Sequence, residues 1–348
     1  MNISFILPNR INSGGIRSTV RLANGLIDKG HNVRILVYSD GFSAKKIKPA
    51  IRNIWFKLRY PDTINWLDNF KGHIENFKNI NQCTFAKDEF VIGTGIWSCN
   101  EINKLNSEGI IKIHNIRGQD PWKNELMKQA WSNDVPKIAV ASYLKQTVKE
   151  LCDREVFAII PNGIDLEEYY PSVPAEQRDG IGTIYHLSFH KDPKVVLAIL
   201  GKLKEECKEV SQRIFGVSRK PDEIANSDYT RFPTVDNARE IYSRSLVWIM
   251  ASRSEGFPNP ILEAMACGCA VIATDCGGSH DMITDGENGF LVEVGDVDAI
   301  VDKVKFLLKD SQLREKIVAN ARDTVNKFTW QDSFNKWEKV LIELSNQK

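Results

Sequence analysis

Two glutamates, Glu255 and Glu263, are separated by seven residues and flank the predicted start of a helix. A Gly-Phe-Pro-Asn loop follows the first, and the second falls on the helix that is predicted next. Free backbone amides at a helix start attract phosphate, and the two carboxylates can accept hydrogen bonds from a sugar and from a ribose diol. Two carboxylates also suit acid and base roles in hydrolysis, but the adjoining helix start favours phosphate recognition.

A second cluster of polar side chains follows the strand that is predicted over 110–113. His114 comes at the end of this strand, and Arg117 and Asp120 follow within seven residues, before a Pro-Trp turn. Strand ends are where open α/β sheets place their chemistry, and these side chains could hydrogen-bond a sugar and pair with a phosphate. A lone histidine is more often structural, but the cluster favours a functional role.

Two more strand ends carry candidate phosphate contacts. Gly14 and Gly15 follow the first predicted strand and open a helix, so a phosphate or sugar could approach the backbone there. The loop is not G-x-G-x-x-G, which disfavours a nicotinamide cofactor. Lys191 follows a later strand, together with His186 and His190, and a cation there could hold a diphosphate. No carboxylate joins the two histidines at a ligand-like spacing, so a metal site is disfavoured.

Strands and helices alternate through both halves of the chain. A strand, a glycine loop, a helix and a second strand fill residues 3–38, which is a βαβ unit. Pro161-Asn162-Gly163 marks the best boundary. We therefore expect an α/β protein with two doubly wound, Rossmann-like domains facing across a cleft. The predicted domains are 1–160, 161–326 and a final helix, 327–348, that packs back on the first.

Composition excludes several classes of protein. Of the 348 residues, 42% are hydrophobic and 26% are charged, which is ordinary for a globular chain and unlike a disordered one. The longest apolar run, 264–273, is shorter than a membrane-spanning helix, and the first residues do not resemble a signal peptide. The seven cysteines form no C-x-x-C pair. These features predict a cytoplasmic protein with reduced cysteines.

Charge is unevenly distributed between the halves. Residues 1–160 hold 23 basic and 15 acidic residues, a net of +8, whereas 161–348 hold 23 and 30, a net of −7. Basic and aromatic residues interleave over 45–59. This pattern predicts a peripheral contact with a membrane surface, and a solvated strand face is the alternative. A lipid-linked or polymeric glycan acceptor would fit such a contact, whereas no nucleic-acid-binding module is present.

Taken together and in this order, the motifs resemble the retaining glycosyltransferases of family 4, with the GT-B fold, over nearly the whole chain. The motifs are Ser13-Gly14-Gly15 with its helix, Gly30-His31-Asn32-Val33, 160–165, the glutamate pair at 255 and 263, 263–268, 285–290 and Phe328-Thr329-Trp330. The resemblance implies transfer of a sugar from a UDP- or GDP-type donor to a glycan or lipid-linked acceptor, with retained anomeric configuration. It implies no metal and no other cofactor.

The resemblance also implies roles for individual residues. Glu263 would bind the donor ribose and Glu255 the donor sugar, while Lys191 would neutralise the phosphates as the leaving group departs. His114 matches the strand-end histidine of the family and would be catalytic, together with Glu255. Arg117 would bind the donor, and Arg117 with Asp120 resembles a subset in which the acidic residue would face the acceptor. Further donor contacts would come from Gly14, Gly15 and the backbone amides of Phe257, Asn259 and Ile261.

The chain departs from the family at one position. The arginine that usually precedes the phosphate-binding lysine is missing, and His186, His190 or Arg117 is expected to replace it. The predicted reaction is a front-side transfer that needs no protein nucleophile. The alternatives are a nucleotide-sugar epimerase or hydrolase of the same fold, and a catalytically silent sugar-binding subunit.

Overall fold

The computed structural model describes residues 1–10, 13–39, 65–105 and 108–347. The predicted membrane contact at 45–59 lies outside these residues. The chain forms two compact units, of which unit 1 comprises Met1–Gly163 with Trp330–Lys348 and unit 2 comprises Ile164–Thr329. The predicted boundaries at 160/161 and 326/327 lie close to these division points.

Unit 1 is built on a parallel sheet with the strand order β3-β2-β1-β4-β5-β6-β7. Its strands are β1 (Asn2–Leu7), β2 (Asn32–Tyr38), β3 (His73–Phe77), β4 (Phe90–Gly93), β5 (Ile111–Ile116), β6 (Lys137–Ala139) and β7 (Ala158–Ile159). Its described helices are α1 (Gly14–Asp28), α2 (Ile96–Asn103), α3 (Asn124–Trp131), α4 (Tyr143–Cys152) and α10 (Trp330–Asn346).

The core of unit 1 is completed by a helix from the far end of the chain. The inner strands β1 and β4 are short apolar runs because helices cover the sheet. Helix α1 turns an apolar stripe, including Leu22 and Leu26, toward β1 and β2. Trp337 and Leu341 of α10 belong to the same buried cluster. The segment predicted to pack on the first domain thus forms a helix on α1.

Unit 2 repeats this architecture with the strand order β10-β9-β8-β11-β12-β13, again parallel. Its strands are β8 (Ile181–Ile184), β9 (Gln212–Gly216), β10 (Asp228–Arg231), β11 (Val247–Met250), β12 (Ala270–Thr274) and β13 (Phe290–Val292). Its helices are α5 (Pro193–Glu206), α6 (Val235–Arg244), α7 (Asn259–Ala266), α8 (Val297–Lys309) and α9 (Ser311–Val325).

Both units are doubly wound, which confirms the predicted α/β class with two Rossmann-like domains. In each sheet the chain moves outward in one direction and then returns to continue on the other side of the first strand. The reversal lies between β1 and β4 in unit 1 and between β8 and β11 in unit 2. Sheets of this kind bind ligands beyond the carboxyl ends of the two strands at the reversal. Among the helices of the described residues, none is long and apolar enough to cross a membrane.

Candidate active site

The reversal point of unit 2 brings together two of the predicted site residues. Lys191 lies in the loop after β8, and Glu255 lies in the loop after the neighbouring strand β11. Nζ of Lys191 donates to Oε1 of Glu255 at 2.5 Å. The two side chains are 26% and 13% exposed, so the pair is shielded from solvent but still reachable. A cation and a carboxylate therefore meet where this sheet is built to hold a ligand.

Glu263 is fixed by a tyrosine that the sequence analysis did not single out. Its carboxylate, on α7, is buried and accepts a hydrogen bond at 3.0 Å from the hydroxyl of Tyr242 on α6. Burial, together with the charge of Glu263, raises the pKa of Tyr242 well above its usual value. The hydroxyl consequently stays protonated and donates to the carboxylate at all ordinary pH values. The ring of Trp248 packs against that of Tyr242, with the two ring centroids 4.2 Å apart.

The loop ahead of α7 differs in detail from the prediction. The amide of Asn259 donates to the carbonyl of Phe257 at 2.9 Å, and the amide of Ile261 donates to that of Pro258 at 2.9 Å. Two of the three amides that were expected to face the sugar and phosphate are thus already engaged in local bonds. The side chains of Phe257 and Ile261 are buried, and the Phe257 ring packs against Phe328 at 5.9 Å.

His186 does not suit the role of a replacement for the missing arginine. Its Nδ1 accepts the backbone N–H of Ser188 at 2.8 Å. Burial and the nearby charge of Lys191 lower the pKa of His186 below its usual value. The ring is therefore neutral at pH 7 and offers no positive charge to a phosphate. This corrects one of the three predicted substitutes.

His190 contributes its backbone to the same site. Its carbonyl accepts the amides of Arg253 at 2.8 Å and of Ser254 at 3.3 Å, and so joins the loop after β8 to the loop after β11. The side chain of Arg253 donates to the carboxylate of Asp192. The sequence did not indicate this contact, because it depends on which strands are neighbours.

In unit 1 the glycine loop and Arg117 come together. Ser13 caps α1 by accepting the amide of Ile16 at 3.3 Å, and Gly14 and Gly15 form the first turn. A Cβ on Gly15 would lie 4.0 Å from Nε of Arg117, and Nη2 of Arg117 donates to Oδ1 of Asn162 at 3.2 Å. Burial lowers the pKa of Arg117 to about 10, so the guanidinium remains charged at pH 7. A helix start and a cation thus share this edge of the sheet, which suits an anion.

Asp120 follows Arg117 on the same connection from β5 to α3. Its carboxylate is 15% exposed and pairs with Nζ of Lys123 at 2.6 Å. The structure places this carboxylate near the carboxyl edge of the unit 1 sheet, as expected for a residue that follows a strand, and its role toward an acceptor stays a prediction.

His114 is not at a strand end, which corrects the prediction. Strand β5 continues to Ile116, so His114 lies inside it and is completely buried. Its Nε2 lies 2.9 Å from Oδ1 of Asn103, which makes Nε2 the protonated nitrogen. Burial, reinforced by the charges of Lys137 and Lys112, lowers the pKa of His114 to about 3. The neutral imidazole lies in the interior of unit 1, and the catalytic role expected of His114 stays a prediction.

No group of three or more His, Cys, Asp or Glu side chains within the described ranges is arranged to hold a metal ion. The ion pairs at the two sheet edges include Lys191 with Glu255 and Asp120 with Lys123.

Comparison with known proteins identifies the family. Residues 172–324 match the family described as glycosyl transferases group 1. An uncharacterized glycosyltransferase of Methanocaldococcus jannaschii, MJ1178, is 36% identical over 264 residues, which are 70% of this chain and 71% of the relative. The capsular polysaccharide biosynthesis glycosyltransferase CapM of Staphylococcus aureus is 36% identical over 128 residues, 34% of each protein. The match thus spans about a third of CapM.

The fold agrees with this relationship. The crystal structure of Anabaena Alr3699/HepE in complex with UDP matches with a TM-score of 0.78 at 16% identity, covering 99% of this chain and 100% of that one. At this identity the match speaks for the two-domain GT-B architecture alone. The resemblance to MJ1178, at 36% identity over 70% of this chain and 71% of the relative, together with the match of residues 172–324, establishes that the chain belongs to the group 1 glycosyltransferases.

Proposed function

We propose that the protein is a retaining, metal-independent hexosyltransferase. It transfers a sugar from a nucleoside diphosphate donor of the UDP or GDP type to a glycan or lipid-linked acceptor. The contact between Lys191 and Glu255 at the reversal point of unit 2 is the observation that carries this proposal. The UDP in the HepE complex and the role of CapM in capsular polysaccharide biosynthesis support the donor class and a glycan acceptor.

A nucleotide sugar can bind at Lys191 and Glu255 by replacing their mutual contact with contacts to itself. In the structure each neutralises the other at 2.5 Å. A diphosphate supplies oxygens that compete for the ammonium of Lys191, and the hydroxyls of the donor sugar then donate to the carboxylate of Glu255. The exchange keeps both charges paired, so donor binding leaves no buried charge without a partner.

Glu263 fits the ribose end of the donor. The hydroxyl of Tyr242 donates to one oxygen of the Glu263 carboxylate at 3.0 Å, which restricts the position of the carboxylate before the ligand arrives. Such pre-organisation reduces the entropy lost on binding. The two hydroxyls of a ribose can both donate to one carboxylate. A carboxylate that is held in position, as that of Glu263 is, suits this paired contact.

The reaction follows from these contacts without a protein nucleophile. The bond from the anomeric carbon to the phosphate oxygen breaks, and the diphosphate leaves with its charge stabilised by Lys191. The acceptor hydroxyl attacks from the same face of the oxocarbenium-like sugar, and its proton passes to the departing phosphate oxygen. The new glycosidic bond therefore keeps the configuration of the donor.

Nucleotide-dependent stabilisation tests the proposal. Purified protein is melted with UDP, GDP, ADP or CMP, each with and without EDTA. A ligand at 100 times its dissociation constant adds about 2.7 kcal/mol, which is readily seen as a rise in Tm. We expect a rise with UDP or GDP that EDTA does not change. No rise with any nucleotide, or a rise that EDTA abolishes, would contradict the proposal.

A matched pair of variants connects this result to the site. Lys191→Met removes the ammonium at the reversal point, whereas Lys194→Met removes an exposed one from the first turn of α5. We expect the nucleotide-induced rise in Tm to be much smaller in the first variant and unchanged in the second. Donor turnover with no acceptor present would instead indicate a hydrolase or epimerase, and binding without any turnover would indicate a silent subunit.

A further inference from the structure

A second ion pair fastens the two loops that carry Lys191 and Glu255. Nε and Nη2 of Arg253 both donate to Oδ2 of Asp192, at 2.9 and 2.5 Å. Asp192 directly follows Lys191 in the loop after β8, and Arg253 precedes Glu255 by two residues in the loop after β11. The pair therefore joins the same two segments as the contact between Lys191 and Glu255, and it lies beside that contact.

Asp192 is the buried member of this ion pair. It is only 4% exposed, although it is an aspartate, and a buried carboxylate is costly unless a cation and hydrogen bonds satisfy it. Its φ of +42° places it in the left-handed region, where the chain turns from the short 3-10 turn Phe189–Lys191 into α5. Aspartate tolerates that conformation better than most residues. The turn of the backbone thus directs Lys191 and Asp192 to different partners in the same neighbouring loop.

Arg253 is engaged from several directions. Its guanidinium lies over the ring of Phe189, 4.6 Å from the centroid, while one edge of the guanidinium faces Asp192. Its amide donates to the carbonyl of His190. A guanidinium held on one face and one edge suits a structural brace rather than a mobile ligand for phosphate.

We propose that Arg253 and Asp192 are positioning residues that set the distance between Lys191 and Glu255, and that Arg253 acts on the donor through these two side chains. The inference rests on the proposed function, because its readout is nucleotide binding.

A double-variant experiment separates positioning from direct contact. The dissociation constant of UDP, or of GDP if the wild type prefers it, is measured by calorimetry for Arg253→Met, Lys191→Met and the double variant. We expect Arg253→Met to weaken binding about tenfold and the double variant to bind no worse, within twofold, than Lys191→Met alone. If Arg253 contacted the phosphates itself, the two losses would multiply, and that result would overturn the inference.

Further variants guard against a general loss of folding. Arg253→Lys keeps a cation beside Asp192 and should recover part of the affinity, whereas Asp192→Gly accepts the positive φ but lacks the carboxylate and should bind as weakly as Arg253→Met. Lys202→Met breaks an exposed ion pair with Asp298 in the same unit and serves as the matched control with unchanged affinity. Circular dichroism and Tm confirm that each variant is folded.

The possible failures are distinguishable. If the wild type binds none of the nucleotides, the proposed function fails and the inference falls with it. If the wild type binds and folded Arg253→Met binds equally well, the inference alone is wrong. If Arg253→Met does not fold, Arg253→Lys and Asp192→Gly decide the question, because wild-type affinity in folded Asp192→Gly overturns the inference.

Discussion

Acidification from pH 7 to pH 5 should remove about 2 kcal/mol from the free energy of unfolding of unit 1 through one imidazole, that of His114. The ring is completely buried in β5, and its pKa is lowered from 6.5 to about 3. A histidine with a depressed pKa in the folded state contributes its full stability above pH 6.5, where it is neutral in both states. That contribution is lost as the pH falls from 6.5 toward 3, because only the unfolded chain takes up the proton.

The magnitude follows from linkage. Between these two pKa values each pH unit costs about 1.4 kcal/mol, and pH 5 lies one and a half units below 6.5, which gives about 2 kcal/mol. Protonation would place a charge on Nδ1, which is buried and has no hydrogen-bond partner in the described residues, facing the ammonium groups of Lys137 and Lys112. In the neutral form, Nε2 of His114 donates a hydrogen bond to Oδ1 of Asn103.

The assay compares urea unfolding of the wild type and His114→Gln at pH 7 and pH 5. Hydrogen exchange of the peptide that contains β5 reports on unit 1 specifically. Glutamine can still donate to Asn103 but cannot be protonated, so its free energy of unfolding should fall by about 2 kcal/mol less than that of the wild type. His73→Gln, at an exposed position on β3 of the same sheet, is the matched control. Equal pH dependence in the wild type and His114→Gln would refute the reasoning.

Three further outcomes are expected. Glu255→Gln should lower donor turnover by about 100-fold or more with Tm preserved, since a charged group at the reaction centre is lost; turnover near the wild-type rate would contradict its role. Gly25→Ala should destabilise unit 1 by about 1–3 kcal/mol in urea unfolding, because its Cβ would lie 2.3 Å from the ring of Phe334. The control Gly201→Ala, with open space around the new methyl group, should be neutral or stabilising. Equal effects of the two substitutions would argue against this packing. Burial raises the pKa of the Cys99 thiol to about 12, so Cys99 should react with a thiol reagent at pH 8 only after unfolding. Rapid labelling of Cys99 itself in the native protein would contradict its burial.

The sequence predicted the fold and part of the site because both depend on local patterns. Short apolar runs after turns marked the strands, and placing Lys191 and Glu255 after two such runs was enough to expect both at a carboxyl edge. Lys191 and Glu255 are 64 positions apart in the sequence. Their contact depends on β8 and β11 being neighbouring strands, which the local pattern does not reveal.

The errors have physical causes as well. The run from Ile111 to Ile116 contains His114 and Asn115, and two adjacent polar residues resemble the end of a strand. The strand continues because β4 and β6 pair with it on both sides and because Asn103, on α2, satisfies the imidazole. The contacts of Tyr242 with Glu263 and of Arg253 with Asp192 likewise join residues 21 and 61 positions apart. Tertiary neighbours of this kind leave no trace in the local pattern.

The return of α10 to unit 1 has a consequence for synthesis on the ribosome. Residues 1–163 are synthesised before unit 2, but the cluster that includes Trp337 and Leu341 is incomplete until α10 has been made. Unit 2 is continuous, from Ile164 to Thr329, and can close its core while the nascent chain is still attached. The later segment of the chain would then mature before the earlier one, and unit 1 would expose to chaperones, for the whole of that interval, the surface of α1 that α10 later covers.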